Sequence, residues 1–477
     1  MLLSRKGHDI DTRCLATPPG LRNRTNRRDE PLSSNTKVST GHLAQLTACE
    51  ARAALNAGDV TSADLVGAYI ARINERDADT GAWVQLDAAG ALAAARDSDE
   101  MRAGGAIMPP LAGIPVGVKD VIDTRDFPTE LGSEVFAGRQ PSEDAFIVTA
   151  LKAAGAIILG KTVTTELAFF GPGKTRNPRD LERTPGGSSS GSAAAVADNQ
   201  VPLALGTQTA GSVIRPASYC GVIGFKPTFG YTSRTGVLPQ SSPLDTIGGY
   251  ARSVDDIALL FDCISMCDPA DPDMRDETKP SLLTALQSSD LQPPRLAFVK
   301  SPAWAQGDEA MRAAFKDFAA KLGLAETPLP ADFDEILRLQ QIVQFSDIAR
   351  NYGPIADANP ERVSAKLKEI IAEGRSFSQA QYTAARTKQA ALYASLRPIL
   401  ATCDAILTPA AQGVAPVGLG STGSPMFNGL WTYLEMPCIS LPLLEANGLP
   451  IGVQLVGARG DDARLLRASA WLMQQRQ

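Results

Sequence analysis

The chain has 477 residues, 44% of them hydrophobic and 21% charged, with a formal charge of −6. That balance belongs to a globular protein with enough apolar residues for one large core or two to three small ones, and it gives no reason to expect a nucleic acid as partner. No run of 18 apolar residues occurs, so the sequence predicts no membrane span.

The charge is uneven. Residues 1–37 hold eight Lys/Arg against four Asp/Glu, which leaves the rest near −10. Residues 1–40 are polar, rich in Arg, Asn, Thr and Ser, and are expected to be a disordered tail. They lack the apolar core of a secretory signal; a targeting peptide and a misassigned start both remain open. Seven cysteines without a CxxC pair argue against a disulfide framework and for a reducing, cytoplasmic setting. Cys263 and Cys267 fall four apart on a predicted helix, but further ligands are missing and no metal is expected.

In chain order, the body opens with two predicted helices. Leu43, Leu46 and Ala53/Ala54 share the spacing of one helical face, ended by Gly58. Thr61-Ser-Ala-Asp64 reads as a capping box ahead of Leu65, Tyr69, Ile70 and Ile73. The apolar run before Lys119 predicts a buried strand that delivers the lysine into an interior. Ser142-Glu-Asp predicts the start of a helix stopping at Gly155, and Ala156-Ile-Ile-Leu159 a short buried strand. Residues 193–198 read as helix and 201–205 as strand. Such alternation points to α/β layering. Beyond about residue 270 the pattern turns to long charged helices, such as 362–373 and 379–396, before strand signals return at 405–407 and 451–456. The reading is one domain over 41–477, with 280–400 a mostly helical excursion shaping the substrate pocket.

Two segments imitate phosphate loops. Gly155-Ala-Ile-Ile-Leu-Gly-Lys161-Thr162 satisfies GxxxxGK[ST], but its four variable residues favour the strand itself rather than a cradle after it, so nucleotide binding is not expected. Pro185-Gly-Gly-Ser188-Ser-Ser-Gly-Ser admits three readings: an oxyanion-handling serine turn, a kinase phosphate loop, or a flexible loop. It runs straight into a predicted helix, which disfavours the last. The kinase reading leaves the second serine turn, Thr209-Ala-Gly-Ser212, and Lys119 without a role.

Ser188 and Ser212 lie 24 positions apart in a chain with two histidines, His8 in the tail and His42 just beyond it. A serine nucleophile ordinarily borrows its base from histidine. Neither histidine has the context of a positioned base, which makes lysine the candidate. An unperturbed lysine, with a pKa of about 10.4, is almost wholly charged at pH 7; burial lowers it by up to about 3–5 units. Adjacent strand residues point to opposite faces, so Lys119 is not expected to pair with Asp120.

Val118-Lys119-Asp120, the turn at 186–192 and Thr209-Ala-Gly-Ser212 together resemble the amidase signature family of serine hydrolases. The resemblance runs from about residue 43 to the C-terminus and includes Arg183-Thr-Pro-Gly-Gly-Ser188, Cys220-Gly-Val-Ile-Gly-Phe-Lys-Pro-Thr-Phe-Gly230 and Gly448-Leu-Pro-Ile-Gly-Val-Gln-Leu-Val-Gly457. It implies an α/β fold with a central mixed sheet covered by helices on both faces. It implies cleavage of the C–N bond of a small-molecule amide, or of a related carbamate or ester, without a cofactor; monomer and homodimer are both left open by the sequence. By the same resemblance Lys119 is the base, Ser188 a relay behind a cis Gly187–Ser188 peptide, and Ser212 the nucleophile. The backbone N–H groups of Thr209, Ala210, Gly211 and Ser212 form the oxyanion hole. Composition does not separate Ser188 from Ser189 and Ser190; only the alignment and the spacing do. The sequence departs from the family pattern at Gln208, where aspartate is usual, and at Ala210, where glycine is usual. Substrate-binding residues are not legible: Phe169-Phe170, Phe427, Trp431 and Tyr433 read as core rather than as an aromatic pocket. Two other readings stay open, an inactive binding scaffold and a glutamine-dependent amidotransferase of which this chain would be the A-type subunit.

Overall fold

The computed structural model describes residues 40–169, 171–274, 279–287 and 291–475. The expected tail up to residue 39, with His8, lies outside the described residues, as does Phe170. Among the described residues ten strands form one mixed sheet: β1 (Trp83–Leu86), β2 (Pro115–Lys119), β3 (Ile157–Thr162), β4 (Leu203–Gln208), β5 (Ile223–Lys226), β6 (Thr246–Ala251), β7 (Leu296–Phe298), β8 (Ala405–Pro409), β9 (Cys438–Ala446) and β10 (Leu449–Val456). Their spatial order is β1-β3-β2-β4-β6-β5-β9-β10-β8-β7. β2 runs parallel to both β3 and β4, and β7 parallel to β8; the other pairings are antiparallel.

Alternate strand residues fill the two faces of this sheet. Leu203 and Leu205 pack with Val116, Val118, Ile223 and Phe225 against the helices Phe146–Ala153 and Val254–Ile264. Ala204 and Tyr250 belong to a different cluster, with residues 193–196, Val213 and Ala217 from the helices Ser190–Ala197 and Ile214–Cys220 and the residue preceding the latter. Both faces are therefore buried, and the central strands are apolar in both phases. The result is a single α/β domain.

Several boundaries differ from the sequence reading, each for a local reason. Leu43 and Ala53 do not share a helix, because Thr47 caps a fresh one, Ala48–Ala57, and Glu50 closes the capping box. That cap resets the phase: Ala48, Ala51 and Leu55 are buried and Ala53 is exposed. The helix expected from Ser142 begins at Phe146 instead. Asp144 is drawn away by the Arg125 N–H at 2.7 Å and by Lys152 Nζ at 2.7 Å. β3 extends through Gly160, Lys161 and Thr162, so the phosphate-loop lookalike is strand to its last residue. The helix carrying Cys263 ends at Ile264, which leaves Cys267 beyond it and exposed. The 280–400 stretch contains β7 as well as the helices Glu309–Lys321, Ile336–Ala358, Ala365–Ser376 and Gln379–Ser395.

Candidate active site

Because β3, β2 and β4 are parallel, their carboxyl ends meet at one edge of the sheet, where ligands of open α/β sheets bind. Lys119 is the last residue of β2. Gln208 ends β4, and residues 209–212 then lead toward the helix Ile214–Cys220. Ser188 sits just ahead of the helix Ser190–Ala197. That helix approaches the sheet closely: a Cβ on Gly191 would lie 2.2 Å from Ala82 O, so only glycine fits there.

Lys119 is fully buried, and its Nζ lies 2.8 Å from Ser188 Oγ and 2.7 Å from Thr207 Oγ1. Desolvation holds its ammonium well below the ordinary lysine range, against the opposing charge of Asp245. A neutral amine in this position keeps two N–H groups and one lone pair, so it can donate to one hydroxyl and accept a proton from the other. The three adjacent serines are not equivalent. Ser189 Oγ donates to Thr207 O and Ser190 Oγ to Gly186 O, whereas Ser188 Oγ alone of the three meets Lys119. The Gly187–Ser188 peptide is cis, and its carbonyl accepts from Arg215 Nη2 at 2.7 Å. Asp120 turns away from Lys119 toward Lys161, 3.8 Å distant. Lys161 is buried and donates to Ile122 O and Thr129 Oγ1, both at 2.6 Å, which makes it a strut of the fold.

The turn after β4 presents unused donors. Among the described residues, the backbone N–H groups of Thr209, Ala210, Gly211 and Ser212 donate to nothing in the protein, while those of Val213 and Ile214 are both taken by Gln208 Oε1, at 2.8 and 3.0 Å. Ala210 O accepts from Thr432 Oγ1 at 2.7 Å, and Gly211 O accepts from Arg215 N at 3.0 Å. In a trans peptide the N–H points opposite to the C=O, so these two bonds turn the N–H of Gly211 away from Thr432 and that of Ser212 away from Arg215. Ser212 is partly exposed; its carbonyl accepts from Tyr250 Oη, and its hydroxyl makes no hydrogen bond among the described residues. The Ser188 turn and this one are tied by Arg215, three residues past Ser212. The structure thus joins Lys119 to Ser188 and sets Ser212 on the adjoining turn, without a Ser188–Ser212 hydrogen bond.

A family model described as Amidase matches residues 64–466. The chain belongs to the amidase family. Among its relatives is a protein of Salinispora arenicola named as the A subunit of glutamyl-tRNA(Gln) amidotransferase, 34% identical over 480 residues, covering 90% of this chain and 97% of that one. A chain from an inhibitor-bound vestigial complex, described as revealing the origins of an s-triazine catabolic enzyme, superposes with a TM-score of 0.84 at 28% identity, covering 90% of this chain and 98% of its own. The native peptide amidase of Stenotrophomonas maltophilia gives 0.78 at 28% identity, with 91% and 98% covered.

The two departures from the amidase pattern have physical accounts. Gln208 supplies an acceptor for two N–H groups at the start of a helix, and its Nε2 also donates to Thr432 Oγ1 at 2.9 Å. Ala210 is not among the residues with positive φ, so alanine fits this turn without strain. Phe427, Trp431 and Tyr433 are fully buried, and Phe169 nearly so, in keeping with core. His42 is exposed on the short helix Thr40–Leu43.

Sequence reasoning missed Thr207, Arg215, Thr432 and Asp245. Arg215 carried a signal: a charge amid Gly-Ser-Val-Ile and Pro-Ala. It is buried, and desolvation brings its guanidinium down to about 10. Thr207 and Thr209 also line a cavity of about 180 Å³ whose walls include Ala168, Leu238, Ile247 and Asp245. No helix among the described residues is long and apolar enough to cross a membrane.

Proposed function

We propose that this chain hydrolyses the C–N bond of a small-molecule amide, or of a related carbamate or ester, through an acyl-enzyme on Ser212. The observation that carries the reading is Lys119, buried with its ammonium destabilised, 2.8 Å from the hydroxyl of Ser188 and beside a turn with four uncommitted N–H groups. In the proposed reaction, neutral Lys119 takes the Ser188 proton while Ser188 takes that of Ser212. Ser212 Oγ then attacks the substrate carbonyl carbon. The oxygen that becomes negative is met by the N–H groups of residues 209–212, donors worth about 3–4 kcal/mol each when so aimed. Collapse breaks the C–N bond, and the proton held by Lys119 returns through Ser188 to the leaving amine. Water, deprotonated by the same route, attacks the acyl ester and releases the acid and the free Ser212 hydroxyl. The route requires Ser188 and Ser212 to come into contact in the substrate complex, as catalytic hydrogen bonds commonly do on binding.

A second reading, in which the chain passes ammonia to a partner, is favoured by the 34% identity to the A subunit of an amidotransferase over 97% of that chain. The discriminating experiment incubates the purified chain alone with aryl, alkyl, amino-acid and carbamate amides. Release of amine or ammonia without a partner supports hydrolysis; activity confined to glutamine and dependent on added partner proteins supports the second reading.

A further inference from the structure

The helix Ile336–Ala358 carries Gln340, Gln344, Asp347 and Asn351 at spacings of four, three and four, which places them along one face. That face is polar although Gln340, Gln344 and Asp347 are buried. Gln344 Nε2 donates to Gln240 Oε1 at 2.9 Å, Asn351 Nδ2 to Gln240 O at 3.1 Å, and Ser241 Oγ to Asp347 Oδ2 at 2.7 Å. The segment so gripped feeds Asp245. The N–H groups of Gln240 and Ser241 donate to Asp245 Oδ2 at 2.8 and 2.9 Å, and Thr209 Oγ1 donates to Asp245 Oδ1 at 2.5 Å. A continuous run of hydrogen bonds thus leads from the helix to the first residue of the turn at 209–212. Buried networks of this kind hold one geometry when fully satisfied.

We propose that Asp245 is a positioning residue for this turn: by accepting the Thr209 hydroxyl it fixes the backbone that presents the four N–H groups, and the helix Ile336–Ala358 holds Asp245 in place through residues 240 and 241. The inference rests on the reading of residues 209–212 as the oxyanion-binding turn. Asp245 also bears on the base, since its negative charge favours the ammonium form of Lys119. The other charged or titratable groups facing it are Arg234, itself paired with Asp271 and Asp273, and Tyr352 from the helix.

The test uses the full chain and an alkyl fluorophosphonate: the serine oxygen attacks its phosphorus and fluoride leaves, a step that needs the same donors and base but no knowledge of the natural substrate. The limiting labelling rate and the half-saturating concentration are measured from pH 5 to 10 for Asp245→Asn, Thr209→Val, Thr209→Ser and the double variant Asp245→Asn/Thr209→Val. Asp245→Asn and Thr209→Val should each cut the limiting rate on the order of 10²-fold, the size of a lost oxyanion donor, with half-saturation within about threefold. Thr209→Ser, which keeps the hydroxyl, should restore most of the rate, and the double variant should be no slower than the slower single variant. The two variants that carry Asp245→Asn, and neither Thr209 single variant, should move the ascending limb to lower pH, because Lys119 loses a neighbouring negative charge. A wild-type rate and limb in Asp245→Asn, or additive losses in the double variant, would overturn the proposal. Should Asp245→Asn fail to fold, the contrast between Thr209→Val and Thr209→Ser still decides it: equal rates for the two refute the role. Ser212→Ala is the control for the reading beneath. Persistent labelling there would mean that the reading of Ser212 has failed, not the inference about Asp245.

Discussion

Replacing Lys119 by methionine removes the amine while nearly keeping the side-chain volume. Two buried hydroxyls, on Ser188 and Thr207, lose a partner, at about 1–3 kcal/mol for each left unsatisfied. Against this, folding no longer has to strip a proton from a buried lysine, so Lys119→Met should fold with a modestly lowered Tm. Turnover of an aryl amide should fall by roughly 10⁴-fold, as when members of other nucleophile–base units are removed. The pH dependence of stability gives an independent check. Desolvation sets the folded pKa of Lys119 below its unfolded value of about 10.4, so between the two the unfolded chain holds a proton that the native chain lacks. Over that window stability rises with pH, by about 1.4 kcal/mol per unit for one proton. Lys119→Met lacks this contribution, and urea titrations from pH 6 to 10 should show wild type gaining on the variant as pH rises. The assays are the pH–kcat profile, which in wild type ascends through the folded lysine pKa, and the paired titrations. A variant within tenfold of wild-type kcat, or a stability gap that stays flat with pH, would refute the account of a desolvated lysine base.

Gln208→Leu strips the acceptor from the N–H groups of Val213 and Ile214 and should cost about 2–6 kcal/mol, read as a drop in the urea midpoint at unchanged m-value. Lys161→Met leaves Asp120 buried without its cation, and about 3–5 kcal/mol should be lost, while activity per folded molecule stays near wild type and isothermal titration detects no ATP binding to either form. The Asp120 carboxyl, now pushed up to about 6 by burial despite Lys161, should rise further in that variant.

The parts of the site legible in sequence are those written in short contiguous stretches. Lys119 follows an apolar run, and Ser188 and Ser212 stand in glycine turns, because a lysine in an interior and a sharp turn each need particular neighbours. Thr207 and Asp245 were not legible, since what brings them to the site is the pairing of β4 with β6 and the grip of a helix more than 90 positions further on. β6 reads Thr-Ile-Gly-Gly-Tyr-Ala, whose two glycines hide a strand that only its neighbours make plain. The Thr47 cap was written in the sequence, with Glu50 three residues on, and was missed because the apolar spacing ran through it. Gln208 shows the converse: it stands out as a departure in the sequence, yet its amide does what a capping acceptor must do there.

The most direct test of the account is to mix the protein with p-nitrophenyl butyrate, quench in acid within the first turnover, and map the acylated peptide by mass spectrometry. The account predicts a butyryl group on Ser212, absent in Ser212→Ala and slow to form in Lys119→Met. Butyryl on Ser188, with Ser212→Ala still acylated at the wild-type rate, would contradict it.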